Sequence, residues 1–113
     1  MGMTQDNFRL DYSYYDVPDH TRESLENYFF RGWLPGSFVT AVLTNDLVRA
    51  CTSCDHVNRE YIVDIAKWVL HNAPHGSWGN SDNLQKWAHD VDGCRSDFVQ
   101  AWEKKAMWRA LHE

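Results

Sequence analysis

The sequence predicts an all-α protein, a compact bundle of four or five short helices preceded by an extended aromatic arm. Apolar residues recur at helical spacing, most clearly at Tyr61, Ile65, Trp68 and Val69. Glycine or proline stands at most boundaries between these apolar segments, which is typical of short helices joined by turns. The 113 residues are 43% hydrophobic and 14% aromatic, enough to pack a single core. We expect one helical domain over residues 17–113, with the arm over residues 1–16.

The charge balance limits the classes of partner. The formal net charge is −5 and the pI is about 5.6, so the chain has no broad cationic field for nucleic acid or an anionic membrane. No run approaches the roughly 20 apolar residues that cross a bilayer, and residues 1–17 lack the pattern of a secretory signal. Three cysteines do not make a disulfide framework. We expect a cytoplasmic protein that binds no membrane and no DNA or RNA directly.

The arm is predicted from alternating side chains at Phe8, Leu10, Tyr12 and Tyr14, the period of an extended chain. A lone strand has no partner within this chain. The arm therefore either lies across the helices or pairs with another subunit.

The first helix is expected to open near Pro18 and to stop at Gly32. Asp19 and Glu23 lie near its N-terminus, where the helix dipole favours negative charge. One face of this helix is predicted to be buried and comprises Thr21, Leu25, Tyr28 and Phe29.

The second helix is predicted to start after Pro35 and Gly36, with Ser37 as its cap, and to run to about Ala50. A broad apolar stripe, comprising Phe38, Ala41, Val42, Leu43 and Leu47, indicates that this helix is central. The pair Asn45-Asp46 would then lie halfway along it, where a simple core helix would carry apolar residues.

Three further helices follow. The third is expected from residue 55 or 56 to residue 71, because Pro74 disfavours helical geometry just before it. A loop with Trp78 between two glycines leads to a fourth helix capped by Asn80 or Ser81. This helix carries Leu84, Trp87, Ala88 and Val91, and Gly93 breaks the chain after it.

The last helix, about 96–112, has apolar residues on two opposite sides. One stripe comprises Phe98, Val99, Trp102, Ala106 and Ala110, and the other comprises Ala101, Met107, Trp108 and Leu111. A helix with two apolar stripes must be covered from two sides, and in so small a protein the second cover is most simply another subunit. The sequence therefore predicts a homo-oligomer with this helix at the interface.

A candidate phosphate site lies at Gly36, Ser37 and Phe38. First-turn N–H groups of a helix favour an anion, glycine permits close approach, and Ser37 adds a hydroxyl. The alternative is an ordinary helix corner capped by serine. The available cations for such a ligand are Arg31, Arg49 and Arg59.

Candidate base-binding residues are Trp78, Asn80, Asn45 and Asp46. Trp78 could stack on a planar base, while the polar side chains could read its edges. The alternatives are a tryptophan folded back on the core, and a polar bridge from Asn45-Asp46 to Asn58 or Arg59 on the next helix.

The case for a metal is weak. Cys51, Cys54, His56 and Cys94 could supply zinc ligands, but Cys94 is distant and free cysteines are often small buried apolar residues. Pro74 interrupts the helix that would place His71 and His75 on one face. No nucleophile elbow, phosphate-binding loop or metalloprotease motif is present. We expect no cofactor, no metal and no catalysis.

A second set of residues carries a resemblance. Its core is Pro35-Gly36-Ser37-Phe38, Ala41-Val42-Leu43, Asn45-Asp46-Leu47 and Trp78-Gly79; the remaining members are His20, Thr21, Arg22, Leu25, Tyr28, Gly32, Ala50, Asp55, Asn58, Ile65, Trp68, Ala73, Pro74 and Trp87. In these residues the segment from residue 17 to about residue 88 resembles a group of small proteins encoded by tailed phages and prophages. The arm and the last helix lie outside the match, and Cys51 and Cys54 do not belong to the pattern.

The resemblance implies a phage context, in which small acidic proteins often act by binding and counter host immunity. The leading hypothesis is a non-enzymatic protein in the host cytoplasm that sequesters a small anionic nucleotide-derived signal. The alternatives are an inhibitor that docks on a host defence protein, such as a CRISPR effector, through the tryptophan-rich last helix, and a phage accessory protein without a small ligand.

Overall fold

The computed structural model describes residues 8–112, and these residues form six α-helices and no β-strand. The helices are α1 (Asp19–Arg31), α2 (Ser37–Leu43), α3 (Leu47–Ser53), α4 (Asn58–Asn72), α5 (Ser81–Ala88) and α6 (Cys94–His112). The all-α prediction is confirmed, with six helices instead of four or five. None of the helices within the described range is long and apolar enough to cross a membrane.

The extra helix arises because the predicted second helix breaks. The prediction of one helix from Ser37 to Ala50 is wrong: α2 ends at Leu43, and Asn45 adopts a left-handed backbone with φ 63°. Asp46 then caps α3, its Oδ1 accepting the backbone N–H of Arg49 at 3.1 Å. Asn and Asp favour such local hydrogen bonds and left-handed geometry. The apolar stripe continues past the break, so periodicity alone could not reveal it.

The other boundaries lie within three residues of the predicted ones, but Gly36 and not Ser37 is the N-cap residue of α2, and α5 ends at Ala88, so Val91 lies outside it. Gly32 ends α1 in the left-handed conformation, with φ 74°. Asp55 accepts the backbone N–H of Asn58, so α4 begins two or three residues later than expected. Asn80 caps α5 through its side chain, and α6 begins at Cys94, two residues before Ser96.

The core is built around α1. Leu25, Tyr28 and Phe29 are fully buried, as the predicted face of this helix requires. Trp68 of α4 and Trp87 of α5 pack against Phe29 with ring centroids 6.0 and 6.5 Å apart. Large aromatic rings thus join three helices through one side chain.

Residues 8–18 are not helical, and they lie across the helices of their own chain. The Phe8 ring stacks on Phe30 at 4.4 Å, and Tyr12 stacks on Trp68 at 4.7 Å. The first seven residues of the predicted arm lie outside the described residues. Among the alternating side chains, Phe8 and Tyr12 are buried while Tyr14 is exposed.

The two sides of α6 have different environments. Near its start, Phe98 packs on Phe30 and Trp87, and Trp102 meets Phe30 edge to face at 5.2 Å. On the second predicted stripe, Met107, Trp108 and Leu111 are 56%, 61% and 78% exposed. One stripe therefore packs on the core, and the other is uncovered by residues 8–112.

Candidate functional site

The predicted binding residues fall at the two ends of α2. Gly36, Ser37 and Phe38 form its start, whereas Asn45-Asp46 follows its end. The loop with Trp78 and Asn80 also lies at that end, because the N–H of Gly79 donates to the carbonyl oxygen of Leu43 at 2.7 Å. The seven residues of α2 separate the two groups by roughly 10 Å along the helix axis. The structure therefore does not gather these residues around one centre.

The residues at the far end of α2 have structural roles. Asp46 caps α3, and Asn80 caps α5 by accepting the N–H of Asn83 at 2.8 Å. Trp78 is half-buried and packs against the core. This agrees with the alternative prediction that its ring folds back on the core. Its carbonyl oxygen accepts a hydrogen bond from the Asn83 amide at 3.0 Å. These groups hold turns and helix starts together.

The predicted cations also lie apart. Arg49 and Arg59 are exposed on α3 and α4. Arg31 is half-buried at the end of α1, and its guanidinium lies over the rings of Phe8 and Trp33, 5.8 and 5.1 Å from their centroids.

The start of α2 opens on a groove of about 280 Å³, which we call the α2 groove. Gly36, Ser37 and Phe38 line it, as the phosphate prediction requires, although the buried Phe38 side chain leaves only its backbone for a ligand. The remaining lining residues come from α1, α2, α3 and the start of α4: His20, Thr21, Ser24, Val39, Ser53, Asp55 and Asn58.

A hydrogen-bonded network positions His20 at this groove. The buried Thr21 hydroxyl lies 2.6 Å from Oδ1 of the buried Asn58, and the Asn58 amide nitrogen lies 3.2 Å from Nε2 of His20. The same Nε2 lies 3.1 Å from Oδ2 of Asp55. The Asn58 backbone N–H donates to Asp55 at 2.8 Å, which completes the network between α1 and α4.

The chemistry of these groups favours a proton on Nε2 of His20. That N–H donates to the Asp55 carboxylate, and rotation of the Asn58 amide by a half turn lets the amide oxygen accept from it as well. In that orientation the amide nitrogen would face Thr21, whereas in the orientation described above the Thr21 hydroxyl donates to Oδ1 of Asn58. With Nε2 engaged in this way, Nδ1 is the ring nitrogen left for a ligand or solvent.

Asp55 supplies the negative charge of the network. The Asn58 backbone N–H holds the pKa of Asp55 below its ordinary value, and His20 acts in the same direction. Asp55 is therefore a carboxylate at neutral pH, and it provides an anionic partner for a protonated imidazole.

The remaining groups around the α2 groove are hydrogen-bond donors. Among the described residues no side chain caps the first turn of α2, and a Cβ added at Gly36 would meet nothing within 4 Å. Hydroxyl groups of Ser24, Ser37 and Ser53 border the same space. Backbone N–H groups and hydroxyls suit an anionic group, and His20 adds a donor at Nδ1 only in its doubly protonated form.

A second groove of about 280 Å³ adjoins the first, which we call the Trp33 groove. The two grooves share His20, Ser24 and Gly36. The second adds the exposed Trp33 ring, together with Glu23, Asn27, Leu34 and Pro35. An aromatic ring thus lies next to the donor-rich groove, in the role that sequence reasoning assigned to Trp78.

Sequence reasoning missed His20, Asp55 and Trp33 as site residues and considered Asn58 only as a partner for Asp46. Their separation along the chain hides the cluster, since 35 positions divide His20 from Asp55. His20, Thr21, Asp55 and Asn58, with Gly36 and Ser37, are nevertheless among the residues on which the sequence-based expectation of a phage family rests. The fold brings these residues to one groove.

The cysteines lie in separate environments. Cys54 donates to the carbonyl oxygen of Cys51 at 3.3 Å, whereas Cys94 lies at the start of α6 near Gly76. Among residues 8–112, no group of three or more His, Cys, Asp or Glu side chains is placed to hold a metal ion.

No protein-family model, curated protein or solved structure matches this chain.

Proposed function

We propose that the protein binds and sequesters a small phosphate-bearing molecule of nucleotide size without transforming it. The observation that carries this proposal is the convergence of an imidazole, three hydroxyls and an uncapped helix turn on the α2 groove, beside an exposed aromatic ring. Phosphate accepts hydrogen bonds at several oxygens, so a donor-rich groove suits it.

The phosphate end of the ligand is assigned to the α2 groove. The backbone N–H groups at Ser37 and Phe38, the Ser37 hydroxyl and Nδ1 of His20 would contact its oxygens. The Asp55 carboxylate opposes an anion, but it lies on the Nε2 side of the imidazole. Nδ1 donates to an anion only when both ring nitrogens carry a proton, and the imidazolium would then lie between the two negative groups.

The planar end of the ligand is assigned to the Trp33 groove. One face of the Trp33 indole is covered by the Arg31 guanidinium at 5.1 Å, and 59% of the residue is exposed. A base could stack on the open face, while Glu23 and Asn27 accept hydrogen bonds from its amino groups. The two adjoining grooves together have the dimensions of an ordinary small-molecule site.

We extend the proposal to the phage context expected from the sequence, in which the ligand would be a nucleotide-derived immune signal of the infected host. Sequestration requires tight binding and no turnover. His20 fits a binding role because Nε2 is already engaged by Asp55 and Asn58.

Calorimetric titration of the full chain with a nucleoside diphosphate, and separately with the parent nucleoside, tests the proposal. The diphosphate should bind and the nucleoside should bind at least about tenfold more weakly, since a charged hydrogen bond contributes on the order of 1.4 kcal/mol or more. His20→Gln and Trp33→Ala should each weaken diphosphate binding by about tenfold.

The matched control is Trp108→Ala, because Trp108 is exposed to nearly the same extent as Trp33, 61% against 59%, but lies on α6. This variant should bind the diphosphate as the unmodified chain does. Equal affinity for nucleoside and diphosphate would contradict the phosphate assignment. Hydrolysis or transfer of the phosphate would contradict sequestration.

A second candidate is docking on a host defence protein through α6, which the exposure of Met107, Trp108 and Leu111 favours. Truncation after Cys94 cannot test it cleanly, because Phe98 and Trp102 contribute to the core. Leu111→Lys changes only the exposed side and is the better variant. If Leu111→Lys no longer inhibits the host defence protein but still binds the nucleotide, the result would favour docking.

A further inference from the structure

The end of α6, residues 104–112, is both apolar and basic. It includes Lys104, Lys105 and Arg109 and no Asp or Glu; removing these three cations from a chain of net charge −5 leaves −8 on the remainder. Lys104, Met107, Trp108 and Leu111 follow helical spacing i, i+3, i+4 and i+7, so they share one face. An exposed apolar face of this kind is typical of a binding surface.

Two copies could pair through their α6 ends, or through the α6 end of one copy and another surface of the second. The charge of the α6 end favours the second arrangement. Direct packing of one α6 end on another would bring six cations together, with Glu103 as the acidic residue of α6 that flanks them in each copy. Like charges in contact oppose such pairing. The acidic remainder of a second copy is the complementary surface.

An apolar groove with acidic edges exists on that remainder. It has a volume of about 450 Å³ and lies where residues 16–22 meet the start of α4; we call it the Val57 groove. Pro18, Tyr61 and the half-exposed Val57 supply its apolar lining, and Asp16 and Asp19 supply carboxylates.

The neighbouring charges are acidic in balance, since Asp64 and Glu60 outnumber the exposed Arg59 at the start of α4. Asp64 accepts the backbone N–H of Asp16 at 2.9 Å, and Glu60 is exposed next to Tyr61 on α4. His20 and Arg22 also line the groove, but His20 pairs with Asp55. The Arg22 guanidinium lies over the Tyr12 ring, and its Nε donates to Val17.

We infer that the α6 end of one copy docks in the Val57 groove of a second copy. Trp108 and Leu111 pack on Val57 and Tyr61, while Lys104 and Lys105 lie near Asp16 and Asp19. In a two-fold pair this contact occurs twice, which doubles the buried area and leaves neither surface open. The inference does not depend on the proposed ligand.

Sedimentation equilibrium of the full chain over a range of concentrations tests the assembly. The expected mass is at least twice the chain mass of 13.3 kDa. A chain that stays at 13.3 kDa throughout would overturn the inference and leave the α6 end for a different protein.

Substitutions then locate the contact. Leu111→Lys should convert the assembly to monomer, and Leu47→Lys is the matched control, because Leu47 on α3 is 73% exposed against 78% for Leu111. Both residues are exposed, so circular dichroism should show folded chains in each case. An assembly that survives Leu111→Lys, or that is lost equally in Leu47→Lys, would overturn the assigned surface.

Charge reversal tests the acceptor groove. The variant K104E/K105E should be monomeric, and D16K/D19K should be monomeric as well. Combining all four substitutions restores opposite charges and should restore the assembly. Failure of the combined variant to assemble, with its helical content retained, would show that the α6 end does not meet the Val57 groove.

Discussion

The indole N–H of Trp68 donates a 2.8 Å hydrogen bond to the carbonyl oxygen of Asp11. The same indole stacks on Tyr12, with ring planes inclined by 28°. One buried side chain of α4 therefore fixes both the backbone and a ring of the N-terminal arm. The arm is held by specific contacts as well as by burial of its aromatic rings.

Trp68→Phe should lower the free energy of unfolding by about 2 kcal/mol or more, because it removes a buried hydrogen bond and part of a packed ring. Urea denaturation followed by circular dichroism measures the loss. Trp102→Phe is the comparison, since Trp102 is less buried and its bond to the Arg9 carbonyl oxygen is longer, 3.2 Å. Equal losses in the two variants would show that the arm is not anchored mainly at Trp68.

Two glycines should respond oppositely to alanine. At Gly32 the backbone has φ +74°, and a Cβ would lie 2.6 Å from the carbonyl oxygen of Ala88. Gly32→Ala should therefore destabilise the fold by about 1 kcal/mol or more. At Gly36 nothing lies within 4 Å of the added Cβ, so Gly36→Ala should leave thermal stability unchanged within about 1 kcal/mol. Differential scanning calorimetry of both variants checks the contrast, and a larger loss at Gly36 would contradict the geometry at both positions.

Asp46→Ala should cost about 1 kcal/mol of stability, because it removes the side-chain cap of α3. Asp46→Asn should retain most of that stability, since an asparagine oxygen can accept the same N–H of Arg49. Chemical denaturation of the two variants separates capping from ligand contact. If both variants kept full stability but lost diphosphate binding, Asp46 would act as a ligand residue.

Alkaline pH should destabilise the fold through two buried tyrosines. Burial raises the pKa of Tyr28, and burial with the nearby Glu26 carboxylate raises the pKa of Tyr12. Above about pH 10 the unfolded chain releases these protons while the folded chain retains them, so the free energy of unfolding falls as pH rises. Below that pH their contribution is fully present.

Urea denaturation from about pH 8 to about pH 11 measures this decline. The double variant Y12F/Y28F should show a shallower decline than the unmodified chain. Tyr14→Phe is the control, because Tyr14 is 91% exposed. A decline of the same slope in all three proteins would assign the effect to other groups.

Local signals in the sequence correctly indicated most of the helices. Gly32 as a stop, Asn80 as a cap and the buried face with Leu25 and Phe29 all follow from residue type and spacing. The break at Asn45 did not, because the apolar stripe is continuous across it and only the backbone shows the left-handed turn. Periodicity identified the buried face of α1, but it did not show that the axis breaks at Asn45 or that Leu47, beyond the break, is 73% exposed.

The candidate site was predicted less well than the fold. Gly36 and Ser37 do line a groove, since a helix start is a local feature. The pairing of His20 with Asp55 depends on how α1 packs beside the start of α4, which no local pattern encodes. Trp78 and Trp33 are both flanked by glycine or proline, and only the fold distinguishes the packed ring from the exposed one.

The contacts between the arm and α6 join residues that are far apart in the chain, so they form late during synthesis. Arg9 is synthesised 93 residues before Trp102, whose indole N–H donates to the Arg9 carbonyl oxygen. The Phe8 ring likewise packs edge to face on the Trp102 ring, with ring centroids 5.1 Å apart. Before α6 is synthesised, Phe8 can stack only on Phe30, and the packing of the arm is completed once Trp102 has been added to the chain.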